Sequence, residues 1–274
     1  MTLSIKTDIF KEMVSRAIKG ASQNKLIPLT GLMAIQLKDN KLTLITTDAS
    51  NYLYIKQDNV VGDEFYVVTQ VEQFSKLVGK MTCETITLEV NNGILNVKGN
   101  GDYKIELPLD EEGNPVVLPN PVDDVKEGKS AEVNLATIKT ILNTIKPALA
   151  VTMEIPVYTR CYMGKRVVAT DTYKVSSLDA DVLKAEPLLL SAETMNLLDV
   201  MTCEKVNFLQ LDDVVVFDTP DCVVYGHTMG GVEDYQIDAI SELLEQDKEF
   251  QKYLPEDYRL MKVAEKVFDV NVEL

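Results

Sequence analysis

A four-residue segment occurs twice in this chain, and the sequence pattern around it occurs twice with it. Met81-Thr82-Cys83-Glu84 returns 120 residues later as Met201-Thr202-Cys203-Glu204. Thr47-Asp48 is matched in the same way by Thr170-Asp171, at an offset of 123 residues. Self-similarity at a nearly constant offset indicates a repeated structural unit, so a duplicated domain is the simplest interpretation of this chain.

The two copies also share their order of elements. Apolar residues at helical spacing predict a helix just before each tetrapeptide, over 71–80 and 192–200, and a pair of short strands follows each one. Two further helices are predicted after Thr7, as an N-cap, and after Asn134, where Pro147 ends the second. Most of the remainder alternates with a period of two. We therefore predict an α+β fold, a tandem repeat of domains that are each an antiparallel sheet with two helices on one face.

Length and composition bound the domain organisation. A chain of 274 residues suits two domains that each bury a core of their own. Residues 107–129 contain four prolines among many acids, which predicts an extended, solvated connector. We predict a first domain at 1–125, a second at 126–240 and an acidic C-terminal tail at 241–274.

Several functional classes are disfavoured by the residues that the chain contains. Its four cysteines show no C-x-x-C spacing and it has one histidine, which argues against a zinc site. We find no Walker loop, dinucleotide fingerprint or nucleophile elbow, so no catalytic residue, metal or cofactor is predicted. No apolar run is long enough for a membrane span and the first residues are unlike a signal peptide, so we expect a cytoplasmic protein.

The charge is unevenly distributed along the sequence. The net charge of −16 argues against nucleic acid, because neutralising phosphates requires Lys and Arg. The segment from Met1 to Lys25 is nevertheless +3, and the predicted helices at 71–80 and 134–146 also carry an excess of bases. Such a field can hold a polyanion on one surface and repel it elsewhere. The alternative, which composition alone favours, is that these lysines are only solvated residues on exposed helix faces.

Three segments resemble the bacterial sliding clamp, the beta subunit of DNA polymerase III. The segment Val168-Ala169-Thr170-Asp171-Thr172-Tyr173-Lys174-Val175 is similar to the V-A-T-D-G-H-R-L signature of the clamp's second domain. Leu26-Ile27-Pro28-Leu29-Thr30-Gly31 resembles the L-P-[IV]-L-x-G segment of its first domain, and Asp234-Tyr235 stands where the family has P-D-Y. Two departures are that the family has three repeats where this sequence has two, and that Thr172-Tyr173-Lys174 replaces G-H-R.

The resemblance implies tandem DNA-clamp domains in a six-domain ring around double-stranded DNA. With two domains in each chain the ring needs three copies, so a homotrimer is expected. The implied function is that of a processivity factor, which contacts phosphates without reading bases and tethers a replicative polymerase after a clamp loader places it. The basic residues predicted to line the hole are Lys11, Arg16, Lys19, Lys25, Lys76, Lys80, Lys139 and Lys146.

The resemblance also implies a pocket that takes a short apolar peptide from polymerases and loaders. Carried over by position, its residues are Tyr158, Thr170, Thr172, Tyr173, Lys174 and Val175. The family's third domain supplies much of the rest of that pocket. Here the tail at 268–274 is one candidate to complete it. A purely structural alternative is that Thr170-Asp171 only turns a strand into a loop, as Thr47-Asp48 would.

Two other classes of protein stay open at the sequence level. An aspartic-protease dyad would need Asp-Thr/Ser-Gly twice, and Asp48-Ala49-Ser50 with Asp171-Thr172-Tyr173 does not supply it. Cys161 and His227 are better interpreted as a buried thiol and a surface histidine than as a catalytic pair. A clamp relative that forms no ring and binds a partner through the tail is the main alternative. The segment from Asp238 to Tyr253 could be a docking helix, or it could cover the sheet edge left by the absent repeat, which is the commoner need.

Overall fold

The computed structural model of the protein describes residues 1–22, 24, 26–124, 129–179 and 186–251. The chain divides into two compact units. The first comprises Met1–Glu127, Leu197–Cys203 and Val216–Gly226, and the second comprises Gly128–Asn196, Glu204–Val215 and His227–Leu274. These units are defined by contacts, whereas the boundaries at 125 and 240 follow the sequence repeat and remain a prediction.

The first unit is built from antiparallel strands and two helices. Its strands are β1 (Thr2–Lys6), β2 (Leu32–Lys38), β3 (Lys41–Thr47), β4 (Asn51–Gln57), β5 (Phe65–Gln70), β6 (Thr85–Asn91), β7 (Ile94–Lys98) and β8 (Asp102–Glu106). The helices are α1 (Thr7–Ala17) and α2 (Val71–Gly79). One sheet has the strand order β1-β6-β7-β8, and a second contains β5-β2-β3-β4.

Tight turns set the register of these strands. Asp39 and Asn40 join β2 to β3 with φ angles of 50° and 58°, and Asn92 and Gly93 join β6 to β7 with 47° and 74°. Left-handed conformations at both central residues give the turn whose twist matches two antiparallel strands, and Asn, Asp and Gly tolerate them best. The hairpins predicted from the alternating pattern are therefore confirmed.

Helix α1 buries one face and leaves the other exposed. Phe10, Met13, Val14 and Ala17 are buried, and the ring of Phe10 meets that of Phe74 on α2 edge to face at 5.9 Å between centroids. Helical spacing of apolar residues thus predicts this helix correctly. The prediction of Thr7 as its N-cap was wrong, because Thr7 is the first residue of the helix, the N-cap is Lys6, and no side chain caps this end.

The second unit repeats this design. Its strands are β9 (Lys129–Asn134), β10 (Arg160–Met163), β11 (Arg166–Thr170), β12 (Val175–Asp179), β13 (Leu188–Ser191) and β14 (Lys205–Gln210). One sheet has the order β12-β11-β10-β13, and β14 pairs antiparallel with β9. The helices are α3 (Leu135–Ile145), α4 (Ala192–Leu197) and α5 (Ile237–Gln251). Asn134 caps α3 by accepting a hydrogen bond from the backbone N–H of Thr137 at 3.2 Å, and α3 gives way to a 3₁₀ turn around Pro147.

Two strands of the second repeat complete the first unit. β15 (Val214–Thr219) enters it at residue 216, and β16 (Cys222–His227) pairs antiparallel with β4, with Cys222 opposite Ile55 and Gly226 opposite Asn51. β16 therefore extends the sheet of the first unit beyond β4.

The repeated tetrapeptide forms the same turn in both places. The carbonyl oxygens of Glu84 and Glu204 accept hydrogen bonds from the first residues of α1 and α3, Thr7 and Leu135, at 3.0 and 2.9 Å. Helix N-termini have unpaired N–H groups, so this contact satisfies one of them in each repeat. The sequence repeat is thus retained where a turn closes onto a helix end.

The residues between the repeats are more closely packed than a solvated connector. Leu118 is buried, its N–H donates to the Tyr66 hydroxyl at 2.9 Å, and the Tyr54 hydroxyl donates to Asn120 Oδ1 at 2.9 Å. The prolines and acids of this segment predict an extended chain. They do not reveal that Leu118 is buried, because a single buried leucine produces no periodic pattern.

The α+β fold class is confirmed, with antiparallel sheets and few helices. Each repeat places its strands in two sheets, a division that period-two alternation alone does not reveal. Within the described part of the chain, no helix has both the length and the apolar character needed to span a membrane.

Candidate nucleic-acid interface and partner pocket

The two helices of the first unit, with the residues that directly follow each of them, carry most of the candidate DNA-binding lysines. Lys19, Lys76 and Lys80 are exposed and Lys11 is half-buried, while the opposite face of each helix is buried. The Phe10–Phe74 contact holds α1 beside α2, so these lysines share one helical layer. We call Lys11, Lys19, Lys76 and Lys80 the lysine face.

Nearby acids reduce the charge of this face. Lys76 is paired with Glu72 one turn away at 2.5 Å, and this contact holds the pKa of Glu72 below its ordinary value. Asp8 and Glu12 are exposed on α1. Lys11, Lys19 and Lys80 form no ion pair with any described residue. The face is therefore only modestly basic, which suits loose contact with phosphates better than tight binding.

Arg16 has a different environment from the other candidates. Its side chain is 15% exposed, its Nη2 lies 2.6 Å from Asp221 Oδ2, and its Nε donates to the carbonyl of Val200 at 3.0 Å. Asp221 also accepts hydrogen bonds from Thr202, Cys203 and Thr219. A guanidinium held by these contacts is less available to a phosphate than an exposed lysine.

The corresponding helices of the second unit are less basic. Lys139 and Lys146 are half-buried, and Lys146 Nζ donates to Asn196 Oδ1 at the end of α4. Glu193 on α4 is exposed and pairs with Arg160 at 3.6 Å. Lys25, the eighth candidate, lies outside the described residues. The second unit thus offers a nearly neutral helical layer.

An aromatic cluster in the second unit surrounds one of the predicted pocket residues. Tyr158 and Tyr235 are buried and meet edge to face at 5.2 Å between ring centroids, and Tyr162 lies 5.6 Å from Tyr235. The Tyr235 hydroxyl donates to the carbonyl of Val168 at 2.9 Å. Burial raises the pKa of Tyr235, so its hydroxyl stays protonated and fixed to β11.

Partly buried apolar residues pack against this cluster. Val175 is one of the predicted pocket residues, and Val232, Ile237 and Ile240 come from the chain around the start of α5. We call Tyr158, Tyr235 and these bordering residues the tyrosine pocket. The predicted completion by residues 268–274 lies outside the described residues.

The turn at 170–174 holds the other predicted pocket residues in place. Asp171 Oδ1 accepts hydrogen bonds from the N–H groups of Tyr173 and Lys174 at 3.0 and 2.9 Å. Burial favours a higher pKa for Asp171, but these hydrogen bonds and the Lys174 ammonium at 3.3 Å keep the pKa below its ordinary value. Thr170 is buried and accepts from the N–H of Thr172 at 3.1 Å, which leaves Tyr173 94% exposed at the tip of the turn.

The same turn occurs in the first repeat. Thr47 accepts from the N–H of Ala49, Asp48 caps the N–H groups of Ser50 and Asn51, and Ala49 has a φ of 82° where Thr172 has 80°. The Thr-Asp pair is therefore a turn-forming device of both repeats. What distinguishes the second copy is the exposed Tyr173.

Comparison with known proteins finds likeness in structure and none in sequence. No protein-family model matches the chain, and no curated protein sequence matches it. Many solved structures do match. The DNA polymerase III beta chain of Streptococcus pneumoniae superposes with a TM-score of 0.73 at 14% identity, and the beta subunit of Thermotoga maritima with 0.68 at 18%. The DNA polymerase sliding clamp of Bacillus subtilis gives 0.71 at 18%.

The chain has the sliding-clamp fold. Each of these matches covers 84% of this chain and 65% of the solved clamp, so the chain spans slightly less than two thirds of their length. The resemblance based on the Val-Ala-Thr-Asp segment is thereby confirmed at the level of the fold.

Several strands lie at the end of a sheet, and β8 and β12 are two of them. Within the described residues, β8 pairs only with β7, and β12 pairs only with β11. Strand β8 exposes Asp102, Tyr103, Lys104 and Glu106. An edge strand presents unpaired backbone groups, which natural proteins charge, cover or pair with another strand.

Sequence reasoning found part of this site and missed part. The resemblance to P-D-Y identifies Tyr235 in the sequence, but the predicted pocket does not include Tyr235, Tyr162, Val232 or Ile237. The signal that the sequence offers is an aromatic residue, Tyr235, just before a helix whose first turns contain Ile237 and Ile240.

The described residues offer little chemistry of their own. Burial raises the pKa of the Cys161 thiol to about 12, which keeps it protonated and unreactive at neutral pH. Among the described residues, no group of three His, Cys, Asp or Glu side chains is arranged to hold a metal ion.

Proposed function

We propose that this protein is a DNA sliding clamp, a processivity factor that encircles double-stranded DNA and tethers a polymerase. The observation that carries the proposal is the sliding-clamp fold together with the lysine face on α1 and α2. Exposed lysines without base-reading side chains favour phosphate contacts of low specificity. The excess of negative charge over the whole chain would keep DNA away from other surfaces.

The assembly that we propose is a homotrimeric ring. Two repeats in each chain and six domains in the ring require three copies, and head-to-tail contacts that close by rotation give such rings. The open edges of β8 and β12 support this arrangement, because each could pair with the other from a neighbouring copy. The role is one of binding without catalysis, in the cytoplasm, where a clamp loader would open the ring.

The tyrosine pocket is our candidate site for the polymerase and the loader. Its apolar border and the exposed Tyr173 suit a short apolar peptide, since buried aromatic anchors dominate such contacts. Of the predicted set, Tyr158 and Val175 form the pocket, Thr170 and Thr172 shape its turn, and Tyr173 and Lys174 are the groups that a peptide would meet.

Light scattering behind a sizing column, over a range of protein concentrations, tests the ring. The expected species has a mass of about 92 kDa, three times the 30.6 kDa of the chain. Assembly is expected to fall at high dilution, because a ring closed by separate interfaces obeys mass action. A mass of 30.6 kDa at every concentration would contradict the ring and favour a partner-binding relative that acts as a monomer.

A further inference from the structure

The chain from the tyrosine pocket into α5 has a firmly held part and a weakly held part. The 3₁₀ turn Val232–Tyr235 is firmly held, because the Tyr235 side chain is fully buried and its hydroxyl donates to β11. Helix α5 begins two residues later, and none of its residues whose side chains the structure describes is buried. Helix α1, in contrast, buries five residues. Much less buried apolar surface therefore holds α5 than holds α1.

The apolar face of α5 packs against the aromatic residues of the tyrosine pocket. Ile237 and Ile240, three residues apart, both contact the cluster that contains Tyr158 and Tyr235. Leu244 is partly buried on the same face of the helix, about one turn further along. The positions i, i+3 and i+7 are those through which an amphipathic helix enters an apolar groove. A segment of the chain itself thus packs where we place a partner peptide.

The first turn of α5 also brings a negative charge beside the cluster. Burial and the charge of Asp238 raise the pKa of Tyr162 above its ordinary value. Asp238 is exposed, whereas its neighbour Ile237 is partly buried. A carboxylate is costly to bury, so this turn packs with its isoleucine inward and its aspartate toward solvent.

Gln236 joins the buried tyrosine to α5 in a left-handed conformation. Its φ and ψ angles are 46° and 38°. Residues other than glycine adopt this conformation at a cost in backbone strain, which persists only where the surrounding contacts fix it. Tyr235 supplies such contacts on one side and Ile237 on the other. Release of α5 would relieve the strain while Tyr235 stays in place, so Gln236 can act as a hinge.

We propose that α5 is an autoinhibitory cover on the tyrosine pocket, which a partner peptide displaces when it binds. The peptide and α5 present the same apolar chemistry to Tyr158 and Tyr235, so both cannot pack there at once. The closed form is then unable to bind, and the apparent affinity for the peptide falls with the fraction of chains that are open. The inference rests on the proposed role of the tyrosine pocket and adds how access to it is controlled.

Substitution on the packed face of α5 tests this cover by its effect on peptide affinity. Ile240→Glu should release the helix, because a carboxylate packed against aromatic rings is unfavourable. We expect its Kd for a fluorescent apolar hexapeptide, measured by anisotropy, to be at least about tenfold tighter than that of the unsubstituted protein. Leu243→Glu makes the same change at a side chain that is 64% exposed, and should leave the Kd unchanged.

Hydrogen exchange of the unsubstituted full-length protein gives a second measurement, which does not depend on how the variant folds. With saturating peptide, the amides of α5 should exchange several-fold faster, whereas those of β10 and β11 should not. Slower or unchanged exchange of α5, or a weaker Kd in a folded Ile240→Glu variant, would show that the helix is a wall of the pocket. The cover would then be overturned and the pocket would stand. If the hexapeptide binds neither protein, the pocket and the cover fall together.

Discussion

The Asp221 carboxylate accepts hydrogen bonds from four side chains, those of Arg16, Thr202, Cys203 and Thr219. Burial alone would raise its pKa, but hydrogen bonds from Cys203, Arg16 and Thr219 and the charge of Arg16 lower the pKa to about 2. A folded-state pKa below the unfolded value adds stability that is complete above about pH 5 and is lost as the pH falls toward 2. In the first repeat the neutral Asn100, one position away from the counterpart of Asp221, contacts the tetrapeptide by accepting from the N–H groups of Thr82 and Cys83.

Asp221→Asn should therefore lower stability at neutral pH and remove part of the acid sensitivity. We expect a loss of about 2 kcal/mol in the free energy of unfolding at pH 7. The difference from the unsubstituted protein should shrink between pH 4 and pH 2, where Asp221 becomes protonated. Urea unfolding at several pH values measures both. Asp199→Asn, at an exposed position, is the matched control and should change stability by less than about 0.5 kcal/mol. A constant difference across this pH range would contradict the assignment.

Thr172 is a β-branched residue with a φ of 80°, a conformation that favours glycine. The segment that it belongs to resembles a signature with glycine at this position. Thr172→Gly should raise the free energy of unfolding by about 1 kcal/mol, because it relieves backbone strain. Thr140→Gly, on the exposed face of α3, serves as the control and should lower it by several tenths of a kcal/mol. Thermal unfolding distinguishes the two, and destabilisation by both substitutions would show that Thr172 is not strained.

The start of β12 and the start of α5 pack against the same aromatic cluster. Helix α5 begins with Ile237, and Ile237 and Ile240 pack against the aromatic cluster that β10 and β11 support. The first turn of α5 is thus packed against the pocket just before the predicted tail begins, and Leu243 is 64% exposed just beyond. A partner peptide at this site would meet the helix as well as the strands.

Tyr173→Ala tests this site without touching the buried cluster. We expect at least a tenfold weaker Kd for a fluorescent hexapeptide that carries two Leu and one Phe, since a tyrosine that becomes buried on binding often contributes this much. Leu109→Ala, an exposed apolar truncation in the connector, is the control and should leave the Kd unchanged. Fluorescence anisotropy gives both values. Equal affinity in the Tyr173 variant would place the peptide elsewhere.

At the scale of the whole molecule, charge is segregated by unit. The lysine face belongs to the first unit, whereas the helical layer of the second is nearly neutral. In a ring of three chains the hole would therefore alternate between basic and neutral sectors. Such a lining lets phosphates pass from one sector to the next without a deep electrostatic minimum.

Retention on DNA provides the test of encirclement. The protein should stay with a nicked circular plasmid through a sizing column at physiological ionic strength, and should be lost from the same plasmid after linearisation. Substituting Lys11, Lys19 and Lys80 together by Glu should reduce retention on the circle several-fold while the mass stays trimeric. A charge-matched variant at the exposed hairpin lysines Lys38, Lys41 and Lys165 should be retained normally. Equal retention on circular and linear DNA would mean that binding is not topological.

Local sequence patterns predict many of the helices and turns of the fold correctly. The helices after Thr7 and Asn134 and the hairpins around Asp39-Asn40 and Asn92-Gly93 follow from spacing and turn residues, because neighbouring residues decide them. The error at Thr7 shows the limit of this reasoning. A threonine before an apolar helix favours an N-cap, yet Thr7 is buried, and its hydroxyl lies 3.5 Å from Cys83 Sγ.

The candidate site also has a part that the sequence predicts and a part that only the tertiary structure reveals. Exposed lysines on an amphipathic helix can be found from the sequence, and so can the Thr-Asp turn. Arg16 looks like one more basic helix residue in the sequence, and only its contact with Asp221, 205 residues away, shows that its charge is already engaged. The aromatic pair of Tyr158 and Tyr235 is likewise invisible to any local pattern.

By itself the sequence determined that the chain is a duplication, that its elements alternate between two helices and antiparallel strands, and where its turns lie. Periodicity and turn chemistry act over a few residues, so they can be read without knowing the fold. The tertiary structure alone decided which charges are paired, which strand edges stay open and which aromatic residues meet. Those outcomes depend on residues brought together from distant parts of the chain, and their burial and pairing energies exist only once the sheets have formed.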